Sequence, residues 1–205
     1  YKRQVNHNPL SDHVALLIKA FPYKDLTPEW NWLQTRAAED SRIILIAESL
    51  PREELLSLYG CCDVFFSLHR SEGFGRGIAE ALQLGLDVIA TNFGGNTDFC
   101  TGPLAHPVRW RQAPIPLGSY PYANGHCWAE PDLEDAAILA RRVAARRLGL
   151  AKNPFAKDPS RDPAVLADYR QRFSFTAVGA RYRARLEALW SSRETLGEHL
   201  RWRLE

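Results

Sequence analysis

The sequence predicts an α/β domain in which a parallel sheet carries helices on both faces. Two observations predict it. Four short runs, His13–Ala20 (HVALLIKA), Arg42–Ala47 (RIILIA), Asp63–Leu68 (DVFFSL) and Leu86–Thr91 (LDVIAT), are apolar almost throughout rather than at alternate positions. That is the pattern of strands covered on both sides. Between them lie segments of helical spacing, so strand and helix alternate along the chain, as right-handed crossovers of a parallel sheet require.

The elements follow in order. After the first strand, Pro28–Asp40 reads as a helix, with Thr27 at its cap and Pro28 at its first position. Arg42–Ala47 is the next strand. The segment Ser49-Leu50-Pro51-Arg52-Glu53-Glu54 opens a helix whose early acids complement the dipole. Asp63–Leu68 is a strand, 75–84 a helix, and Leu86–Thr91 a strand closed by the turn Asn92-Phe93-Gly94-Gly95-Asn96. A shorter strand is expected near 105–109 and a helix over about 132–148. Residues 110–127, with Pro114, Pro116, Pro121, Gly118 and Gly125, read as a long loop. The division is a sheet domain over 1–150, a linker with a short helix over 151–173, and a closing helix over 174–205.

Composition narrows the function classes. A net charge of +2 is too small to imply a nucleic-acid partner, although 141–147 (RRVAARR) and 181–185 (RYRAR) make the last third basic. That basic stretch reads first as a solvated helix face, with anionic headgroups or a partner domain as the alternatives. No apolar run approaches the roughly 18 residues of a membrane span. The four cysteines (Cys61, Cys62, Cys100 and Cys127) have neither metal-ligand nor redox spacing, and read as buried or half-buried thiols. No metal site is expected. The chain has no Met and no apolar leader at its start, which suggests a cytoplasmic protein recorded as a fragment.

A doubly wound sheet binds ligands beyond the carboxyl ends of its strands. The positions to watch are therefore Lys19, 47–50, 69–77 and 91–98. The most informative is Ser71-Glu72-Gly73-Phe74-Gly75-Arg76-Gly77-Ile78-Ala79-Glu80-Ala81-Leu82, which follows a strand and opens a helix. Alternate glycines let a ligand approach the backbone, and the helix N-terminus offers unpaired N–H groups to a diphosphate. Glu72 lies in the loop, with Glu80 two turns on, about 12 Å along a helix axis. Two such carboxylates suit sugar and ribose hydroxyls. The glycine spacing is not Gly-x-Gly-x-x-Gly, which argues against a dinucleotide fingerprint.

Glu72-x7-Glu80 within SEGFGRGIAEALQLGLDVIAT, followed by NFGGNTDF, resembles the signature of family 4 retaining glycosyltransferases of the GT-B fold. The likeness extends upstream through LPREELLSLYGCCDVFFSLHR and downstream through HCWAEPDLEDAA, and SFTAVGARYRARLEALW suits the family's closing helix. It implies the Rossmann-like, donor-binding C-terminal domain of a two-domain enzyme whose N-terminal acceptor domain is absent here. It further implies Glu72 on the donor sugar and Glu80 on the ribose. Gly73, the Phe74 and Gly75 N–H groups and Arg76 would lie along the sugar and diphosphate. Lys19 would stabilise the leaving diphosphate, and the loop carrying Ser49 and Leu50 would sit beside the base. Gly94, Gly95 and Asn96 would stand on the acceptor side, or form a plain tight turn. The donor would be a UDP- or GDP-sugar and the acceptor a glycan or lipid-linked glycan of bacterial cell-surface polysaccharide or lipopolysaccharide, at the inner membrane face. Transfer would retain configuration and need no metal. The fragment alone would bind donor without turning over. A non-catalytic nucleotide-sugar module and a GT-B sugar-nucleotide epimerase are the alternatives. Arg76 departs from the commoner apolar residue of the motif. Tyr120 and Tyr122 in the loop over 110–127, and Trp128 just after it, are expected at an acceptor path or a domain interface.

Overall fold

The computed structural model describes residues 13–20, 28–150 and 158–192. In chain order the elements are β1 (Leu16–Lys19), α1 (Pro28–Glu39), β2 (Ile43–Ile46), α2 (Arg52–Gly60), β3 (Val64–Ser67), α3 (Arg76–Leu84), β4 (Asp87–Thr91), β5 (Ala105–Val108), β6 (Trp110–Pro114), β7 (Cys127–Pro131), α4 (Leu133–Arg147), α5 (Pro163–Arg172) and α6 (Phe175–Ser191). The α/β class is as the sequence predicts, with parallel strands, flanking helices and a C-terminal helix. The expected cap Thr27 lies outside the described residues.

β4 is the centre of the molecule. It pairs in parallel with β3 on one side and β5 on the other, and all five of its residues are buried. Its apolar residues alternate between two packed faces. Val88 and Ala90 join Ile78, Ala79, Ala81 and Leu82 of α3, along with Phe99, Leu104 and Tyr169. Ile89 faces the other way, onto Val108 and onto Ala136 and Val143 of α4. Each large aliphatic chain buried here contributes about 1.5–3 kcal/mol. The parallel strands form two sheets rather than one, because among the described residues β1 and β2 pair only with each other. Neither α1 nor α2 fully buries a side chain.

α3 is bounded by two glycines in the left-handed region, Gly75 (φ 89°) and Gly85 (φ 85°). At its end Gly85 N–H bonds Leu82 O and Leu86 N–H bonds Ala81 O, the double closure of a Schellman motif. α4 begins at Asp132, whose side chain accepts from Glu134 and Asp135 N–H. α6 begins at Ser174, whose hydroxyl accepts from Ala177 N–H.

The amino ends of the strands are tied by a buried carboxylate. Asp87 is fully buried and pairs with His106 Nε2 (2.7 Å), Arg147 Nε (2.8 Å) and Arg146 Nη2. Burial pushes its carboxyl up, but the His106 hydrogen bond and the two guanidinium groups outweigh burial and hold it below its ordinary value. Arg147 also donates to the carbonyls of Asp63 and Gly85. The end of α4 is thereby fastened to the starts of β3, β4 and β5.

Two sequence expectations need correction. Residues 110–127 are not simply a loop, because β6 and β7 form an antiparallel hairpin with Trp110 opposite Pro131 and Pro114 opposite Cys127. Prolines suggest a loop because they cannot donate to a ladder. Here Pro114 ends β6 and Pro116 lies beyond it, so the ladder between β6 and β7 forms. Cys61 and Cys127 are exposed, and only Cys62 and Cys100 are half-buried.

Candidate functional site

At the carboxyl ends of β3 and β4 two loops meet backbone to backbone. Gly95 N–H donates to Glu72 O at 3.0 Å. A Cβ on Gly95 would lie 1.9 Å from Gly73 O, and one on Gly94 would lie 2.4 Å from Glu72 O. Only glycine allows this approach. His69 joins the same loops from the side, with Nε2 2.9 Å from Phe93 O and Nδ1 3.1 Å from the Ser67 hydroxyl. A carbonyl can only accept, so in the neutral ring Nε2 carries the hydrogen and Nδ1 accepts from Ser67.

The loop that results aims the start of α3 outward. The Glu72 carboxylate accepts from Gly75 N–H through Oε1 at 2.9 Å. That donor was expected to face a ligand and is instead used within its own loop. Among the described residues no side chain caps α3, and the N–H groups of its first turn have no acceptor there. Beside the loop, Phe74 packs at a tilt against Phe99 (4.8 Å between centroids), and Phe173 at the end of α5 packs edge-on to both. Gly77 lets α3 lie close over β3, since a Cβ there would meet Phe65 Cζ at 3.0 Å.

Glu80, on the second turn of α3, is 11% exposed, and Arg52 at the first position of α2 reaches its Oε1 at 2.9 Å. Arg76 lies 3.8 Å from the same oxygen and is otherwise exposed. Burial, followed by the charge of Glu80, pushes the Tyr59 phenol up. Glu72 thus lies in the loop before α3, bonded to the Gly75 N–H, and Glu80 lies on the second turn of the helix.

The other expected residues are less closely gathered. Lys19 ends β1 with Nζ bonded to Ala20 O at 3.1 Å. Ser49 is exposed and Leu50 half-buried in the loop after β2. Asn96 is buried in the turn after β4. It is 1% exposed, and its Nδ2 donates to Thr91 O. Gly94 and Gly95 support the Glu72 loop. Tyr120 and Tyr122 are largely exposed in the connection between β6 and β7, whereas Trp128 is half-buried beneath Arg70, whose guanidinium lies 4.5 Å from the ring centroid.

Sequence reasoning missed the latch that Arg70 makes. Its Nε and Nη2 grip Glu130 at 2.7 and 2.9 Å, and its carbonyl accepts from Ala129 N–H. Trp110 Nε1 donates to Asn92 O at 2.7 Å. The hairpin is therefore held to both site loops. Partners sixty positions apart leave no local signal, and the pairing of Arg52 with Glu80 is hidden for the same reason.

Among the described residues, no group of three or more His, Cys, Asp and Glu side chains could hold a metal ion, and no helix is long and apolar enough to cross a membrane. Residues 33–101 match the model of a family described as glycosyl transferases group 1. The match covers about a third of the chain, runs from α1 to beyond β4, and takes in both Glu72 and Glu80. It supports that superfamily. No curated protein matches the chain.

Proposed function

We propose that this chain is the donor-binding domain of a retaining glycosyltransferase of the GT-B type that uses a nucleotide-diphosphate sugar, UDP- or GDP-linked. The observation that carries the reading is the start of α3, without a side-chain cap, flanked in sequence by two carboxylates, Glu72 in the glycine loop and Glu80 on the second turn of the helix. The diphosphate would lie on the N–H groups of the first turn, where the helix dipole favours negative charge. Glu72 would accept from hydroxyls of the sugar and Glu80 from those of the ribose. Ser49 and Leu50 would sit near the base.

In transfer, the bond between the anomeric carbon and the diphosphate oxygen breaks, and the acceptor hydroxyl oxygen bonds to that carbon. The hydroxyl proton passes to a donor phosphate oxygen. Charge grows on the diphosphate as it leaves, so preformed donors at its seat lower the barrier. Arg76 and Lys19 are the cations assigned to that charge. The acceptor, a glycan or lipid-linked glycan of a cell-surface polysaccharide made on the cytoplasmic side, would be held mainly by a second domain.

Thermal unfolding with UDP, GDP, ADP and their sugars tests the reading. A nucleotide at a hundred times its dissociation constant stabilises by about 2.7 kcal/mol, or about 5–11 °C for a domain this size. The expected outcome is a shift with one nucleotide that Glu80→Ala abolishes. A panel without any shift would sink the donor reading.

A further inference from the structure

We infer that Arg52 is a positioning residue for Glu80, fixing which carboxylate oxygen is presented to the ribose. The inference rests on the donor reading above and goes one residue beyond it. Arg52 Nη1 lies 2.9 Å from Glu80 Oε1, and Arg76 Nε approaches the same atom at 3.8 Å. Oε2 has no partner among the described residues. A carboxylate on an unbranched two-carbon stem turns freely about its last torsion. A charge-assisted bond to one oxygen arrests that rotation and leaves the other oxygen as the open acceptor.

The surroundings support a positioning role over a stabilising one. The Arg52 side chain is 61% exposed while that of Glu80 is 11% exposed, and pairs with one partner in water add little to folding. Arg52 opens α2 directly after the Ser49-Leu50-Pro51 loop, so the same turn that would border the base also supplies the cation that orients the ribose acceptor. The link ties that loop to α3 across 28 positions of sequence.

The test compares ribonucleotides with their 2′-deoxy counterparts on the full chain, with dissociation constants measured by calorimetry for UDP, dUDP, GDP, dGDP, ADP and dADP. With Glu80 Oε2 held in place, the wild-type protein should prefer the ribonucleotide of its base about 10- to 100-fold, the effect of one hydrogen bond to a charged group. Arg52→Ala should bring that ratio close to one at an unchanged melting temperature, and Arg52→Lys should restore much of it. If Arg52→Ala weakens the ribo and deoxy forms equally, Arg52 touches the phosphate or base instead and the inference is overturned while the donor reading stands. A wild-type protein that binds nucleotide without preferring ribose overturns the ribose role of Glu80, and this inference with it. Binding of none overturns the donor reading as well.

Discussion

Gly95→Ala is the sharpest perturbation of the site's scaffold. Gly95 is not in the left-handed region, so alanine there meets no backbone penalty of its own, and the whole effect comes from contact. The new methyl would sit 1.9 Å from Gly73 O and 2.8 Å from Gly73 C, both main-chain atoms that cannot rotate away. The two loops must part by about an ångström, which stretches the 3.0 Å bond from Gly95 N–H to Glu72 O. Overpacking costs about 1–3 kcal/mol and the lost bond about 1 kcal/mol. A total near 3 kcal/mol lowers the midpoint by about 6–12 °C at this chain length. Circular dichroism melts of Gly95→Ala and Gly73→Ala make the comparison internal, because a Cβ on Gly73 has nothing within 4 Å. Gly73→Ala should stay close to wild type. If Gly95→Ala also melted within about 2 °C of wild type, the loops would not be in contact and the account of how Glu72 is placed would fail.

Other perturbations probe separate parts of the fold. Asp87→Asn should destabilise by about 3–5 kcal/mol, the cost of breaking a buried ion pair, as read by urea unfolding. The folded-state pKa of Asp87 is depressed, so its stabilisation is present above its ordinary pKa of about 3.9 and is lost as pH falls through the lower folded value. Wild type should therefore weaken steeply below about pH 4, and Asp87→Asn should show a shallower fall there. Tyr169→Phe leaves the Leu104 N–H and the Thr101 carbonyl without the hydroxyl they share. It should cost about 1–3 kcal/mol by the same assay. Arg70→Ala should speed amide hydrogen exchange across 110–114 and 127–131 while leaving β4 protected, since it removes the bidentate grip on Glu130.

What the sequence made legible was local. The mostly apolar run ending in Thr91 reads as a strand. Gly75 and Gly85 bracket a helix whose apolar residues recur on one face. Glu72 falls in the glycine loop before that helix and Glu80 on its second turn, both within one continuous stretch of sequence. What stayed hidden depends on contacts between distant segments. Gly94 and Gly95 read equally well as an acceptor mouth or a plain turn until Glu72 and Gly73 are seen against them. The hairpin was masked by Pro114 and Pro116, which break a ladder only where their missing N–H is needed. Asp87 reads as a polar interruption at a strand start, and its three cationic or imidazole partners come from two other elements. That β1 and β2 form a ladder of their own is likewise invisible in runs as apolar as those of the central sheet.

The central claim is that the first turn of α3 seats a donor diphosphate. A ¹H–¹⁵N correlation titration of the chain with UDP and GDP tests it most directly, since it reports the groups said to bind. The account predicts that the amides of Arg76, Gly77 and Ile78 shift progressively and saturate, and that Glu80→Ala weakens the titration. Shifts confined to other parts of the molecule, with these three amides unmoved at saturation, would contradict it.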